Sequence, residues 1–540
     1  MVFIYPYNTS NAVQFGQVDI HFQLQPSHIN PDWYCLANST STMMNMGGMV
    51  RSTQRIEVSW LARALTGWSG GSGALHRQLS DALRSLIELG EIPAGARLPS
   101  ERQLAGALSV SRTTVISAYE ALKAEAQLES RQGSGTRVRS NSLNGLSERD
   151  SGLIGAGRLR GYYTPVAATI DLSTAAMPGL PLSAEIATSL NYDEVLQLTE
   201  EHGYYSRGLP ELRHKLAEYF CQAGVPTTMD EILVTSGAQQ ALEVVASSLL
   251  IPGDEVIIED PTYRGAIQAF QALGARMLTV PSGENGIDID VLRKRIGESA
   301  CEAIYVLPTV QNPTGSVLSD ARRKTLVDLA LKHGITVIDD ASPADLLYSS
   351  DAPPPLASFA PDTPIVTIGS CSKLFWGGLR VGWVRAPANI ISRLARVKQG
   401  ITDLGTSVLS QKILCELLPH ADEARVLRQQ QLATGLECVG GLLTELLPTW
   451  QWKKPAGGAA LWVQIPHGSS TTFSQVALQH GVSVVPGPIF SIEGNFEDIV
   501  RIPFGLPPQT LRTGITRLSL AWEEHLSRGM PYGIDSRPIA

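Results

Sequence analysis

Gly369-Ser370-Cys371-Ser372-Lys373-Leu374-Phe375-Trp376-Gly377-Gly378-Leu379-Arg380-Val381-Gly382-Trp383 is the run that decides the reading of this chain. It continues from an apolar stretch, residues 365–369, that reads as a buried strand. A lysine held between small hydroxyl residues just past such a strand is poorly placed for solvent. A lysine that forms a Schiff base needs that kind of desolvated position, where its amine deprotonates more readily. Ser370, Ser372 and Arg380 can serve an anionic phosphate group, Arg380 through a bidentate fork. The rival reading is a surface lysine after a turn, and three motifs upstream weigh against it.

Thr235-Ser236-Gly237-Ala238-Gln239 follows a strand and opens a helix, whose free N–H groups and positive end suit a phosphate. Alone this is weak, because any strand-to-helix turn of small residues looks similar. Asp260-Pro261-Thr262-Tyr263 ends the next strand and places a ring where a cofactor ring can stack, although a lone tyrosine is more often packing. Gln311-Asn312-Pro313-Thr314-Gly315 is a turn after a third strand, from which Asn312 can reach a phenolic oxygen. Strand 335–338 delivers Asp339 to its C-terminal end, where ligands gather in doubly wound sheets. A carboxylate there can pair with a pyridinium nitrogen and keep it protonated. Asp340 is an alternative, but the spacing to Lys373 favours Asp339.

Outward from these motifs, short buried runs at 231–234, 255–259, 303–308, 335–339 and 365–369 alternate with helix-period segments such as 239–250 and 321–333. That alternation predicts an α/β domain with a mostly parallel sheet and a small C-terminal subdomain, over residues 169–527, with a tail at 528–540. The 540 residues leave room for further domains. With 43% hydrophobic and 17% charged residues, disorder and fibrous repeats are excluded. No run approaches the roughly eighteen apolar residues of a membrane helix, and no secretory signal is evident. The six cysteines are scattered without a C-x-x-C pair, so neither disulfides nor a metal site is expected, and a reducing cytoplasm fits best.

Residues 1–71 show no periodicity and hold Met43, Met44, Met46 and Met49, which suggests a dispensable extension or a misplaced start. Residues 72–139 read as a helical unit closed by a glycine-bearing hairpin, and 140–168, rich in Ser and Gly, as a flexible linker. Gly155-Ala156-Gly157 in that linker has no strand before it and is no dinucleotide loop. Leu79, Leu83, Leu86 and Ile87 mark a first helix. Ser100 with Gln103 forms a capping box for a second, whose buried face is Leu104, Ala105 and Leu108. Ser111 caps a third, with Val115, Ala118, Tyr119 and Leu122 inside and Arg112, Thr113 and Thr114 displayed. A helix-turn-helix lays the start of its second helix on base edges in the major groove. Arg112 can reach guanine, and the threonines can reach phosphate or a thymine methyl. The net charge is −8, but residues 75–140 hold nine Lys/Arg against seven Asp/Glu, a mild asymmetry. A plain helical subdomain with solvated arginines is the competing reading.

The run LPSERQLAGALSVSRTTVISAYEALKAEAQLESRQGSGT resembles the GntR-type winged helix-turn-helix, departing at Ala126, where that family usually has glycine. The resemblance makes Ser100, Arg102, Ser111, Arg112, Thr113, Thr114, Arg131 and Gly133 the DNA-contact candidates. The S-G-A-Q, D-P-T-Y, N-P-T-G, strand-end Asp and S-x-S-K motifs, with an arginine seven residues later, are similar to fold-type I aminotransferases. Together the two halves resemble MocR/PdxR-like regulators, with the Lys373 run looking most like the YczR-type subgroup. The resemblance implies pyridoxal 5′-phosphate as cofactor and Lys373 as the Schiff-base and catalytic lysine. It implies Asp339 at the pyridinium, Asn312 at O3′, Tyr263 against the ring, and Gly237, Ala238, Gln239, Ser370, Ser372 and Arg380 at the phosphate. Arg501 would take an effector carboxylate, and Tyr204 or Tyr205 would reach the partner's site in a homodimer. The family's O3′ tyrosine is missing, since Ala341 and Ser342 stand in its place. The expected function is a regulator of double-stranded operator DNA that senses the cofactor or its Schiff base with an amino acid or amine. An aminotransferase with a DNA-binding appendage, or a bifunctional protein, is the alternative.

Overall fold

The computed structural model describes residues 55–139 and 169–529, apart from 66, 70–72, 89–90, 94, 132–134, 350–351 and 361–363. The linker at 140–168, Gly133 and the four clustered methionines lie outside the described residues. The N-terminal unit comprises helices α1 (Val58–Ala64), α2 (Leu75–Glu88), α3 (Glu101–Leu108) and α4 (Arg112–Ala124), then the antiparallel wing β1 (Leu128–Arg131) and β2 (Gly135–Val138). The expected core positions are buried together, from Leu79 and Leu83 through Leu104 and Leu108 to Val115, Tyr119 and Leu122.

The expectation of a dispensable extension over residues 1–71 fails for its last stretch. Ile56, Leu61, Ala62, Leu65 and Trp68 are buried in the same apolar cluster as α2–α4. The Ile56 N–H donates to Arg97 O at 2.9 Å, and bridges Arg55↔Arg97 and Arg97↔Arg137 add a third extended segment to the wing. At seven residues, α1 is too short for its spacing to stand out in sequence. Ala126 has φ 56°, the left-handed region that favours glycine, which accounts physically for the family's residue at that position.

Chain order in the C-terminal unit begins with β3 (Ile170–Leu172), α5 (Pro181–Ser189), α6 (Tyr192–Thr199), α7 (Pro210–Gln222), β4 (Ile232–Thr235), α8 (Ala238–Leu249), β5 (Glu255–Asp260) and α9 (Arg264–Ala272). It continues through β6 (Arg276–Gly283), β7 (Gly286–Ile287), α10 (Ile289–Glu298), β8 (Ala303–Val306), α11 (Asp320–His333), β9 (Thr336–Asp340), β10 (Ile365–Ser370) and β11 (Gly382–Arg385). Then come α12 (Ala388–Ile401), α13 (Val408–Leu417), α14 (Ala421–Leu446), β12 (Gln451–Trp452), β13 (Ala460–Gln464), α15 (Ser470–Gln479), β14 (Val482–Pro486), β15 (Ile499–Pro503) and α16 (Pro508–Gly529). The last helix thus runs two residues past the expected domain end.

The large sheet has the order β4-β11-β10-β9-β8-β5-β6-β7. It is mostly parallel, with β11 and β7 antiparallel to their neighbours. Its central strands are buried on both faces, as apolar runs without alternation require. One face packs on α7, α10, α11 and α13, the other on α8, α9 and α12. A second sheet, β12-β13-β15-β14-β3, supports the small subdomain. The helix α15 turns Phe473, Val476 and Ala477 into that core. Its opposite face, with Thr471, Gln475 and Leu478, is buried too, and the helix also touches α1 and α3.

Candidate functional site

The turn after β10 carries Lys373, whose Nζ donates to Ala175 O at 3.0 Å. On β15, Arg501 donates from Nη2 to Ser173 O at 2.6 Å and from Nη1 to Asn312 Oδ1 at 3.5 Å. Its guanidinium lies 4.9 Å from the centre of the Phe490 ring. The nearly buried Arg428 of α14 donates to Leu374 O, Phe375 O and Pro178 O. Burial brings the Lys373 amine down to about 8, and the neighbouring charges of Arg501 and Arg428 push the same way. Lys373, Asn312 and Arg501, predicted from three separate motifs, therefore meet in one place.

Beside them is the start of α8. Gly237 is its N-cap with φ 97° and no side-chain cap, so the first-turn N–H groups around Ala238 and Gln239 have no such partner. Arg380, itself at φ 53°, donates from Nη2 to Ser236 O at 3.0 Å. A Cβ on Gly382 would stand 2.6 Å from the Gly237 carbonyl carbon, so this approach of two chain segments requires glycine. Ser370 Oγ donates to Ser372 Oγ at 3.0 Å. The Tyr263 hydroxyl donates to Gln239 Oε1 at 3.1 Å, which ties the expected stacking ring to α8. Ser236 N–H donates to Gln240 Oε1, Gln240 Nε2 to Asp403, and Asp403 pairs with the buried Lys398.

Strand β9 delivers two carboxylates to opposite faces of the sheet. Val337 packs on the α7 face and Ile338 on the α8 face, so by alternation Asp339 shares the first and Asp340 the second. Asp340 is fully engaged: Oδ2 accepts from the Tyr305 hydroxyl at 2.7 Å and Oδ1 from Ser342 N–H at 3.1 Å. Asp339 is buried beside Thr367, and its Oδ1 has no hydrogen-bond partner among the described residues. Burial pushes Asp339 up to about 7 against the opposing charge of Arg323. The strand ends at Asp340 rather than Asp339. Tyr204 is exposed, whereas the Tyr205 phenol donates to the Glu201 carboxylate.

In the reading head, Ser100 and Gln103 make the reciprocal box that the sequence predicts. Ser111 Oγ accepts from Thr114 N–H at 3.1 Å and lies 2.7 Å from Thr113 Oγ1, so it fixes the start of α4. Arg102, Arg112 and Thr113 are exposed, and Thr114 is half-buried. Arg131 ends β1 opposite Gly135. Arg137, by contrast, donates to Gly95 O at 3.1 Å and serves the wing itself.

A large mixed sheet with a lysine just past the C-terminal end of β10, joined to a winged helix, defines a fold-type I transferase domain carrying a DNA-reading head. The chain belongs to the family described as aminotransferase class I and II, which matches residues 168–518, and its residues 75–138 match the bacterial regulatory proteins of the gntR family. It is 29% identical to the uncharacterised HTH-type transcriptional regulator YdfD of Bacillus subtilis, over 84% of this chain and 97% of that protein. It is 32% identical to the 2-aminoadipate transaminase of Thermus thermophilus, over 58% of this chain and 80% of that one. The crystal structure of LysN, an α-aminoadipate aminotransferase of Thermus thermophilus bound to N-(5′-phosphopyridoxyl)-L-leucine, superposes with a TM-score of 0.62 at 28% identity, covering 69% of this chain and 97% of that chain. A regulator with a gntR-type head and an aminotransferase-type body is of the MocR type, and its fold implies pyridoxal 5′-phosphate as cofactor.

The residues present suit that group. Asp339 keeps a buried carboxylate oxygen without a partner among the described residues, the α8 N-cap residue offers no side-chain cap, and Gly237 leaves a cradle in which a Cβ would stand 3.4 Å from Arg380 Nη2. Sequence reasoning missed Ser173 O, Ala175 O, Arg428, Phe490 and the Tyr305–Asp340 pair. Backbone carbonyls leave no mark in a sequence, and Arg428 is one arginine among several on a long helix.

Proposed function

We propose that this chain is a DNA-binding transcriptional regulator whose aminotransferase-like domain holds pyridoxal 5′-phosphate and responds to it and to an amino acid or amine. The carrying observation is that one chain joins an exposed Arg112 at the start of α4 to a site that gathers Lys373, Asn312 and Arg501. When bound, the cofactor supplies an aldehyde carbon that condenses with primary amines and a ring that withdraws electrons. The chain's own residues do the rest. Lys373, near 8, has a neutral amine roughly two orders of magnitude more often than an ordinary lysine. Asp339 would hold a proton at a ring nitrogen, and Asn312 would orient an oxygen beside it. Gly237, Ala238, Gln239, Ser370, Ser372 and Arg380 would hold the phosphate, and Tyr263 would support the ring. Arg501, positioned over Phe490, would take the carboxylate of the effector.

The reading includes a homodimer in a reducing cytoplasm, bound to two half-sites of double-stranded DNA. Tyr192, Tyr204, Ile401, Leu404 and Leu409 are large exposed apolar side chains that a second copy would cover. Ser100, Arg102, Ser111, Arg112, Thr113, Thr114, Arg131 and Gly133 would meet the DNA. Titration of operator with cofactor-free, cofactor-loaded and Lys373→Ala protein tests the reading. Loaded and free protein should differ by roughly five- to a hundredfold in affinity, and equal affinities for all three would refute sensing. The enzyme reading is favoured by one observation, the joint presence of Lys373 and Arg501. Repeated conversion of an amino acid to its oxo acid would establish it.

A further inference from the structure

The segment that leads from β3 into α5 crosses the site, and its carbonyls meet three cations in turn. Ser173 O accepts from Arg501 Nη2 at 2.6 Å, Ala175 O from Lys373 Nζ at 3.0 Å, and Pro178 O from Arg428 Nη1 at 3.0 Å. Ser173 is completely buried and is turned into this position by Asp171, whose Oδ1 accepts from its N–H at 2.7 Å and its hydroxyl at 2.6 Å. Two of the three cations are those assigned above to ligands, whereas Arg428 donates to the carbonyls of Leu374, Phe375 and Pro178 and to Gln431 Oε1.

A neutral carbonyl is a weaker partner for a guanidinium than a carboxylate, because charge on both members roughly doubles the strength of the bond. A carboxylate that enters at Arg501 along the Nη2 side therefore competes with Ser173 O for that donor. Whatever engages the Lys373 nitrogen likewise withdraws it from Ala175 O. The third pin, on Arg428, stays. At its N-terminal end the same segment is β3, which pairs only at the edge of the small sheet, against β14, and follows the linker to the reading head. Through Val485↔Arg501, β14 is also the neighbour of the strand that carries Arg501.

We infer that residues 173–178 form a strap pinned by Arg501, Lys373 and Arg428, released when ligands take Lys373 and Arg501, and that this release is what the linker passes to the reading head. The inference rests on the sensing function proposed above and names its moving part. It meets the two-state requirement of a switch where the strap's carbonyls and the ligand compete for the same N–H groups of Lys373 and Arg501.

Amide hydrogen exchange on the full chain tests it, read on peptides covering 170–180 with a β4 peptide as control. In cofactor-free protein, Arg501→Gln and Lys373→Met each remove one pin. Exchange across 173–178 should speed roughly ten- to a hundredfold per pin, more in the double variant, with β4 unchanged. Unchanged exchange at 173–178 in both single variants would overturn the strap. Adding pyridoxal 5′-phosphate to the parent should also speed exchange there, with visible absorbance reporting occupancy independently. Coloured protein whose 173–178 exchange is unchanged or slowed would overturn release. Protein that never colours would instead refute the cofactor assignment, and the pin variants would still decide the strap. Arg501→Gln without ligand should further shift operator affinity in the direction that cofactor loading does, and a shift the other way would break the link to the head.

Discussion

Replacing Lys373 with methionine should stabilise the cofactor-free protein, by an amount that depends on pH. The folded amine sits near 8 against an ordinary value of 10.5, because burial and the charges of Arg501 and Arg428 disfavour its protonated form. The folded state thus binds fewer protons than the unfolded one between those two values, and stability rises with pH across that window. Below it, the folded protein carries the full penalty of a protonated, desolvated amine. Two and a half pKa units correspond to about 3 kcal/mol at pH 7, falling to about 1 kcal/mol by pH 10 as both states lose the proton. Methionine has similar length and no charge, so Lys373→Met should gain about that difference, less the Ala175 hydrogen bond it forfeits, worth about 1 kcal/mol. The assay is denaturant unfolding of parent and variant side by side at several pH values, without cofactor. Subtracting one curve from the other removes every other titrating group. A stability difference that is flat from pH 7 to 10 would refute a depressed amine at Lys373, and with it the activated nucleophile on which the site depends.

Two further outcomes follow from the reading head. Arg112→Ala should weaken binding to the specific operator by about 1–3 kcal/mol and relax base preference, whereas Arg102→Ala should weaken specific and random DNA alike and flatten the salt dependence; equal losses for both variants on both DNAs would remove α4 from base recognition. Ala126→Gly relieves a left-handed residue at a strain of roughly 1–2 kcal/mol, offset by about 0.5–1 kcal/mol of extra unfolded-chain freedom, for a net stabilisation of about 0.5–1 kcal/mol. Calorimetry of the full chain should show the head's transition move up, and a downward shift would refute the strain.

Much of this architecture could be read directly because its determinants are local. The five predicted strands lie within two residues of their observed limits, since a strand covered on both faces is a continuous apolar run, whether parallel in the middle of the sheet or, like β4, antiparallel at its edge. The capping residues Ser100 and Ser111 announced their helices because each bonds only to residues two or three positions on. The failures are non-local. Helix α1 is held by tertiary contacts of Leu61, Ala62 and Leu65 with residues far along the chain, and its seven residues give too little period to detect. The strap was invisible because its working parts are carbonyl oxygens, which every residue has. Spacing to Lys373 favoured Asp339 over Asp340 in the sequence, and the sheet's alternation gives the physical distinction between Asp339, whose Oδ1 has no partner among the described residues, and Asp340, claimed by Tyr305.

The double burial of α15 bears on how this protein can be handled. Thr471, Gln475 and Leu478 are buried on one side of this helix, which touches α1 and α3 of the reading head. A chain severed between residues 140 and 168 would therefore not yield a native-surfaced transferase domain but one with a freshly bared helix flank. The polar side-chain atoms of Thr471 and Gln475, without partners among the described residues, would gain hydration, while Leu478 would be left adhesive. Preparations of the C-terminal half alone would then self-associate through this flank as well as through any native dimer surface, so the oligomeric state is to be measured on the full chain.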